Sequence, residues 1–547
     1  VELTRLIDAL RNPAAYPEAV GPVEVRQTHL SVVFLAGPFA YKIKKPVDLG
    51  FVDFTSLEKR RHFCQEEVRL NRRLAPAVYR GVVPVASTPH GVAVGGAGDV
   101  IEWAVQMERL PEEAALRQRL RRGEVGPELM DNLARKLAGF HAHAASGPAV
   151  AAFGRFDVVA QNARENFEQS APQVGVTLSR AVFDRLGPLT EEALTRLRPL
   201  IEARALRGVP RDTHGDLHLD HVYLFPERSP PADLVIIDCI EFNERFRFAD
   251  PVADMAFLVM DLLFHGRKDL AAVFSRAYFR AADDPEGAAL LDFYIAYRAA
   301  VRGKVEGFKA AEEEVPDAER SAALTRARAH WLLALGALEA PDRKPCLVLI
   351  GGLPGAGKST LARGLAGRAN CVLLRSDVVR KELAGLSARD PAAAPYGEGI
   401  YTPAWTDRTY AECLRRAEGS LGEGKRVVVD ATFAAEAKRA AFLEAAARLA
   451  VPAVFLLCQA SPETVRQRLA RRRGDVSDAG PAVYEQAARR WQPVSPHTRP
   501  ALREIPTDGT EAQALARALA VLRAEGLLGE AGRDAEGSDI LPNRSTS

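Results

Sequence analysis

The stretch Gly352-Leu353-Pro354-Gly355-Ala356-Gly357-Lys358-Ser359 constrains this chain most, because it fits the phosphate-binding pattern G-x-x-x-x-G-K-[ST] without a mismatch. That pattern works only between a strand and a helix. Both are predicted: Cys346 to Ile350 is an apolar run that reads as a buried strand, and Thr360 to Arg368 is a good helix former. The glycines let consecutive backbone N–H groups turn toward phosphate oxygens, the helix N-terminus adds the positive end of its dipole, and Lys358 balances charge near the β- and γ-phosphates. Gly352, Gly355, Ala356, Gly357, Lys358, Ser359 and Thr360 are therefore expected to hold ATP, with the Ser359 hydroxyl offered to Mg²⁺.

At 547 residues, 47% hydrophobic and 26% charged, the chain has material for more than one core. A formal net charge of +2 provides no global field for nucleic acid or membrane, so such partners would need a local patch. The six cysteines are scattered, with no C-x-x-C pair, and read as reduced thiols of the cytosol. No apolar run is long enough to span a bilayer, and Val1-Glu2-Leu3-Thr4-Arg5 has no leader profile. These features predict a soluble, cytoplasmic protein with no membrane partner. They leave its oligomeric state open.

Residues 1 to about 20 are predicted helical. Val23 to Arg26, Val32 to Leu35 and Phe39 to Lys44 then read as an antiparallel meander. A charged helix is expected from about Ser56 to Leu74, then a hairpin over Val82 to Ala86 and Gly91 to Gly95, and a strand over Val100 to Met107. Beyond Pro111 the pattern is mainly helical as far as Arg207. Two later segments each deliver an aspartate at a strand boundary: Asp216 in Thr213-His214-Gly215-Asp216-Leu217-His218, and Asp238 after Leu234-Val235-Ile236-Ile237. Phosphoryl transfer needs one carboxylate near the acceptor hydroxyl and another that holds a metal against the phosphates.

His214-Gly215-Asp216-Leu217-His218 followed by Ile237-Asp238 resembles the catalytic segment of aminoglycoside phosphotransferases and related small-molecule kinases, which share the bilobal protein-kinase fold. The resemblance implies that Lys42 contacts the α- and β-phosphates and that Glu67, with Glu66 as competitor, is its ion-pair partner. It also implies an adenine-binding hinge over Val105 to Glu108, with Gln106 and Met107 at its centre, Asp216 as catalytic base, Asp238 as metal ligand, and Asp250 and Asp254 as structural braces. Two departures stand out. Where the family has a metal-binding asparagine, five residues after the catalytic aspartate, this chain has His221, the residue left to complete the metal set. Imidazole is a poor ligand for Mg²⁺, and Asp220 is the neighbouring oxygen donor. The loop Gln27 to Ser31 also lacks the glycine that close backbone cover over phosphates uses. His141 and His143 read as ordinary helix residues.

The polar, Pro-bounded segment Glu339 to Pro345 suggests a boundary, giving a kinase-like domain at 1–340, a phosphate-loop domain at 341–528 and a polar, disordered tail at 529–547. In the second domain the strand Cys371 to Leu374 leads into Asp377 and Arg380, and Arg426 to Val429 ends in Asp430. Asp377 is suited to take a proton from an acceptor hydroxyl, Arg380 to bind an anionic part of the acceptor, and Asp430 to face Mg²⁺. Ala453 to Cys458 is a fourth strand, and Glu463 to Arg473 is an arginine-dense helix suited to a lid. Alternating strands and helices predict a three-layer α/β domain with a parallel sheet.

This half resembles P-loop kinases of the polynucleotide-kinase and zeta-toxin-like group, through Gly352 to Ser359, Ser376 to Arg380, Asp430-Ala431-Thr432 and the arginine helix. The resemblance implies Asp377 as general base, Arg380 as a substrate contact and lid arginines, Arg471 and Arg472 among them, on the transferred phosphoryl group. The order of the two halves is similar to that of bifunctional aminoglycoside phosphotransferase and ATP-binding proteins. The expected activity is ATP- and Mg²⁺-dependent phosphoryl transfer to a hydroxyl of a small metabolite or of an RNA or DNA 5′ end. Two alternatives stay open: catalysis by the P-loop domain alone beside a pseudokinase, and a non-catalytic ATP sensor.

Overall fold

The structure is a computed structural model, and it describes residues 2–18, 21–387, 398–471 and 481–529. The predicted tail lies outside these except for Gly529. Contacts divide the chain into two compact units: Val1–Glu165, Leu194–Leu263 and Arg267–Arg298 form the first, and Asn166–Ala193, Phe264–Gly266 and Ala299–Ser547 the second. The second unit thus takes in helical segments that precede the phosphate loop as well as the chain that follows it.

The first unit begins with a helix shorter than predicted, Leu3–Leu10, and then builds an antiparallel sheet from β1 (Glu24–Gln27), β2 (Ser31–Ala36), β3 (Phe39–Lys44), β4 (Tyr79–Thr88), β5 (Gly91–Val94) and β6 (Asp99–Glu108). The strand order is β1-β2-β3-β6-β4-β5. β2 and β3 are joined by the two-residue turn Gly37-Pro38, in which Gly37 has a φ of 57°, a conformation glycine adopts without strain. Strand periodicity decides what β3 offers. Phe39, Tyr41 and Ile43 pack into one apolar cluster with Leu6, Ile7 and Leu10, while Ala40 packs on the other face with Cys64 and Val68 of helix α1 (Leu57–Asn71). Lys42 and Lys44 share that second face. Ser56 caps α1, its side chain accepting from the Lys59 N–H.

The remainder of the first unit is mainly helical. Helices α2 (Pro127–His143), α3 (Pro251–Phe264) and α4 (Lys268–Ala282) carry its core, and α3 is buried along nearly its whole length, as a helix apolar on all sides must be. A small antiparallel hairpin, β7 (Val222–Leu224) and β8 (Leu234–Ile236), carries the two aspartate segments on its ends.

The second unit holds a five-stranded parallel sheet: β9 (Cys346–Gly351), β10 (Val372–Arg375), β11 (Arg426–Asp430), β12 (Ala453–Gln459) and β13 (Leu502–Pro506), in the order β10-β11-β9-β12-β13. β9 and β11 are buried at every residue, which is why Cys346 to Ile350 and Val427 to Val429 read as unbroken apolar runs rather than alternating ones. Four of these strands were expected. The fifth, Leu-Arg-Glu-Ile-Pro, lacks the apolar signal because it is the sheet's edge, where charge and a terminal proline are tolerated. Helices α5 (Lys358–Arg368), α6 (Ser376–Leu383), α7 (Pro403–Gly422) and α8 (Pro462–Arg471) follow β9, β10 and β12. Because all strands are parallel, Gly351, Arg375, Asp430 and Gln459 end on the same edge, where such sheets bind ligands.

The opposite edge is tied by Arg426. Only 3% exposed, it donates to the carbonyls of Ala369, Pro341, Lys344 and Leu527, joining the polar segment before β9 to the end of the last helix. Arg426→Leu strands these carbonyls in an apolar setting, and denaturant titration of the full chain should record a loss of about 3 kcal/mol or more. Arg426→Lys, which keeps the charge but loses the fork, should fall between.

Candidate active sites

In the second unit the loop between β9 and α5 forms the cradle its sequence predicts. Gly352 has a φ of 138°, and a Cβ there would stand 2.6 Å from the Cys458 carbonyl oxygen. Gly355, at φ 80°, would place one 2.9 Å from Val465. Neither position accepts a side chain, so the backbone lies open to an anion. The loop is fixed from two sides: the Gly352 N–H donates to the Thr432 carbonyl at 3.1 Å, and Thr507 Oγ1 donates to the Ala356 carbonyl at 2.8 Å. Lys358 Nζ donates to the Leu353 carbonyl at 2.9 Å, and Ser359 and Thr360 sit in the first turn of α5.

A cavity of about 620 Å³ opens beside this cradle, lined in part by Lys358, Ser359, Asp377, Arg380, Asp430 and Arg468. Five of these, Lys358, Ser359, Asp377, Arg380 and Asp430, were expected from the ends of β9, β10 and β11, and they line one cavity because the strand ends share one edge. Burial raises the pKa of Asp377, the Asp430 charge raises it further, and Lys358 and Arg380 oppose both. Asp430 is held by Arg375 Nε at 3.3 Å. Arg380 is 7% exposed; its Nη1 donates to the Ile400 carbonyl at 2.7 Å, its plane lies over Tyr401, and its Nε has no partner among the described residues.

Arg468 on α8 donates from Nη2 to the Thr507 carbonyl at 2.5 Å, while its buried Nη1 has no partner among the described residues and lies beside Gly357. An orphaned guanidinium N–H over a phosphate cradle fits a nucleotide phosphate oxygen. Arg468 belongs to the arginine-dense segment Glu463 to Arg473 that the sequence marks as a lid. Of the expected lid arginines, Arg471 ends α8 with its side chain outside the described residues, and Arg472 lies outside them altogether. The hydroxyl of Ser359 and the carboxylate of Asp430 form a hard-oxygen donor set that suits Mg²⁺.

In the first unit Lys42 Nζ lies 2.9 Å from Glu67 Oε1 and 2.6 Å from Asp238 Oδ1. Glu66 faces elsewhere and pairs with Arg69 at 2.6 Å. Burial works to raise the pKa of Asp238, but Lys42 and His221 overcome it and hold the carboxylate below its ordinary range. Asp238 has a φ of 64°, rare for a non-glycine residue, and its N–H donates to the Tyr79 hydroxyl at 3.2 Å. A second buried lysine was not anticipated: Lys44 pairs with Glu67 and with Glu241, and its only sequence signal is the alternation that puts it on the face of Lys42.

Asp254 accepts from the N–H groups of His214 at 3.0 Å and Gly215 at 2.9 Å, and is itself held by His141 Nε2 at 3.0 Å. His141 Nδ1 meets the Tyr278 hydroxyl at 2.7 Å, so this histidine is a link in a buried chain and not a surface residue. Asp250 pairs with Arg204 at 2.6 Å. These contacts fix the backbone that presents Asp216. His221 Nδ1 is 2.8 Å from the Asp216 carbonyl and His221 Nε2 is 3.4 Å from Asp238 Oδ2, whereas Asp220 pairs with Arg117 at 2.6 Å. With two imidazoles, His218 and His221, beside Asp216, the donors here do not fit Mg²⁺. Gln106 and Met107 lie within β6, paired to β3 on one side and β4 on the other, so the first backbone past the ladder begins at Arg109.

Residues 54–291 match the family model described as "Phosphotransferase enzyme family", and residues 347–494 match one described as "AAA domain". "Uncharacterized protein Rv2004c" of Mycobacterium tuberculosis is 34% identical over 466 residues, which cover 85% of this chain and 89% of the relative. The chain belongs to this two-domain phosphotransferase family. "Uncharacterized protein Mb2027c" of Mycobacterium bovis matches to the same extent, at 34% over 466 residues. Among solved structures, a choline/ethanolamine kinase family protein from Mesorhizobium loti is 15% identical, covering 61% of this chain and 98% of its own with a TM-score of 0.35. Chaetomium thermophilum Kti12 in complex with ADP-AlF3 is 20% identical, covering 34% of this chain and 100% of its own with a TM-score of 0.25. The chain is thus a kinase-type, nucleotide-binding phosphotransferase, with a protein-kinase-like domain followed by an α/β P-loop domain. Among its described residues no helix is long and apolar enough to cross a membrane.

Burial, reinforced by His218, lowers the His221 pKa to about 4, against an ordinary value of about 6.5. The unfolded chain therefore takes up this proton first as the pH falls from about 6.5 to about 4, and stability is lost across that window, by up to about 3 kcal/mol. Denaturant unfolding of chelator-treated protein should show a smaller fall over the same range in His221→Asn.

Proposed function

We propose that the P-loop domain transfers the γ-phosphate of ATP to a hydroxyl of a small, anionic metabolite, and that the kinase-like domain is a second nucleotide centre. The observation that carries the first part is that the phosphate cradle, a carboxylate of raised pKa and two arginines with N–H groups unpartnered among the described residues meet in one cavity. About 620 Å³ suits a nucleotide's phosphates together with a compact acceptor.

In this reading Lys358 leaves the Leu353 carbonyl for the β- and γ-phosphates, and Arg468 adds its Nη1 N–H to the transferred group. Asp377 holds the acceptor hydroxyl and takes its proton while the oxygen bonds to the γ-phosphorus and ADP departs. Burial supports that role, since a carboxylate of raised pKa is the better base. Arg380, anchored at Nη1 and stacked on Tyr401, offers its remaining donors to an acceptor carboxylate or phosphate. Ser359 and Asp430 would hold Mg²⁺, which supplies charge neutralisation across the phosphates.

The kinase-like domain is read as a nucleotide centre because Lys42, Glu67 and Asp238 are already joined, the arrangement that places a lysine against phosphates. Asp216 is the candidate base there.

With γ-labelled ATP and a panel of sugar acids, sugar phosphates, neutral polyols and 5′-hydroxyl oligonucleotides, label should pass to an anionic small molecule. Asp377→Asn should lower kcat by about 10²- to 10⁴-fold with little change in the KM for ATP. Arg380→Ala should mainly raise the KM for the acceptor. Transfer confined to oligonucleotides, or undiminished in Lys358→Ala, contradicts the proposal.

A further inference from the structure

The loop that presents Asp216 gathers donors of a kind its position does not call for. One ligand atom each of Asp216, His218 and His221 lie within 4.8 Å of one another, and the His218 and His221 rings are 3.9 Å apart at their centroids. His218 Nε2 is 3.7 Å from Asp216 Oδ2. A second, independent observation concerns the direction of the His221 ring. Its Nδ1 is 2.8 Å from the Asp216 carbonyl oxygen, which can only accept, so Nδ1 carries the proton. That leaves Nε2 as the lone-pair nitrogen, and it faces Asp238 Oδ2 at 3.4 Å. With Lys42 on Asp238 Oδ1, the Nε2 lone pair and Asp238 Oδ2 form a donor pair that a shared cation would join. A backbone carbonyl that fixes the tautomer from behind is also the usual support of a metal-binding histidine.

We propose that the kinase-like domain binds a first-row transition cation of the Mn²⁺, Co²⁺ and Zn²⁺ class through His221 and His218 with Asp216 and Asp238, at the place where a Mg²⁺-binding asparagine was expected. Imidazole nitrogen raises affinity along that series and disfavours Mg²⁺, which keeps to hard oxygen and its own waters. The histidine at 221 is then a change of metal class rather than a loss of the metal site. Asp238 keeps Lys42 on Oδ1 at 2.6 Å and would meet the cation through Oδ2, the oxygen that faces His221. The inference deepens the reading of this domain as a nucleotide centre, but binding of the cation needs neither nucleotide nor turnover.

The test uses full-length, chelator-treated protein with Co²⁺ as the probe, in excess Mg²⁺ to fill the Ser359 and Asp430 site. The visible ligand-field bands of Co²⁺ should appear and saturate at one equivalent, without the near-ultraviolet band of a thiolate complex. His221→Asn and His218→Gln should each weaken binding by about tenfold or more, while Asp430→Asn leaves it unchanged. Should His221→Asn fail to fold by circular dichroism, His218→Gln decides. Displacement of Co²⁺ by millimolar Mg²⁺, or equal affinity in the folded histidine variants, overturns the proposal. Absence of ATP turnover with the cation bound would instead count against the nucleotide reading alone.

Discussion

An ammonium group taken out of water must be given carboxylates, and in the first unit that requirement falls on Lys42. The sheet supplies the lysine, helix α1 supplies Glu67, and the turn after β8 supplies Asp238, nearly two hundred residues further on. Three segments distant in sequence are thereby held at one charge. Lys44 repeats the demand on the same face and draws in Glu241, so Glu67 serves two lysines at once. Loss of one carboxylate from such a network leaves a buried charge uncompensated, which costs more than any single pair contributes. The positive φ of Asp238 is the backbone strain that this convergence tolerates.

The second unit handles the opposite sign. Its cradle is built to receive negative charge: Lys358 donates to a backbone carbonyl, and Arg468 and Arg380 each keep an N–H without a hydrogen-bond partner among the described residues. Asp377 and Asp430 stand close enough to raise the pKa of Asp377. Neighbouring carboxylates of this kind are costly unless a cation or a transferable proton is expected between them. The two units also differ in donor chemistry. Oxygen from Ser359 and Asp430 lines one, whereas imidazole from His218 and His221 crowds the other.

Much of this was readable from the chain. The phosphate loop, the meander, the parallel sheet and the strand-end aspartates follow from local rules, namely glycine at turns, periods of two and unbroken apolar runs for strands covered on both faces. What escaped was set by tertiary contact. Leu502–Pro506 is a strand because it pairs with Ala453–Gln459, and its own residues argue against it. Lys44 and Glu241 look like surface charges until folding buries them together. His141 reads as a helix residue, and only Asp254 and Tyr278, far along the chain, make it part of the support beneath the Asp216 loop. Glu66 and Glu67 were indistinguishable by type, and the phase of α1 separates them, turning Glu67 to the sheet.

The central claim, that one chain carries two nucleotide centres, is tested most directly by the stoichiometry with which full-length protein binds a non-hydrolysable ATP analogue, measured by calorimetry or equilibrium dialysis. The account predicts two molecules bound per chain, with Lys42→Met and Lys358→Ala each removing a different one and the double variant removing both. A single molecule bound by the unaltered chain, abolished by one substitution and untouched by the other, would contradict it.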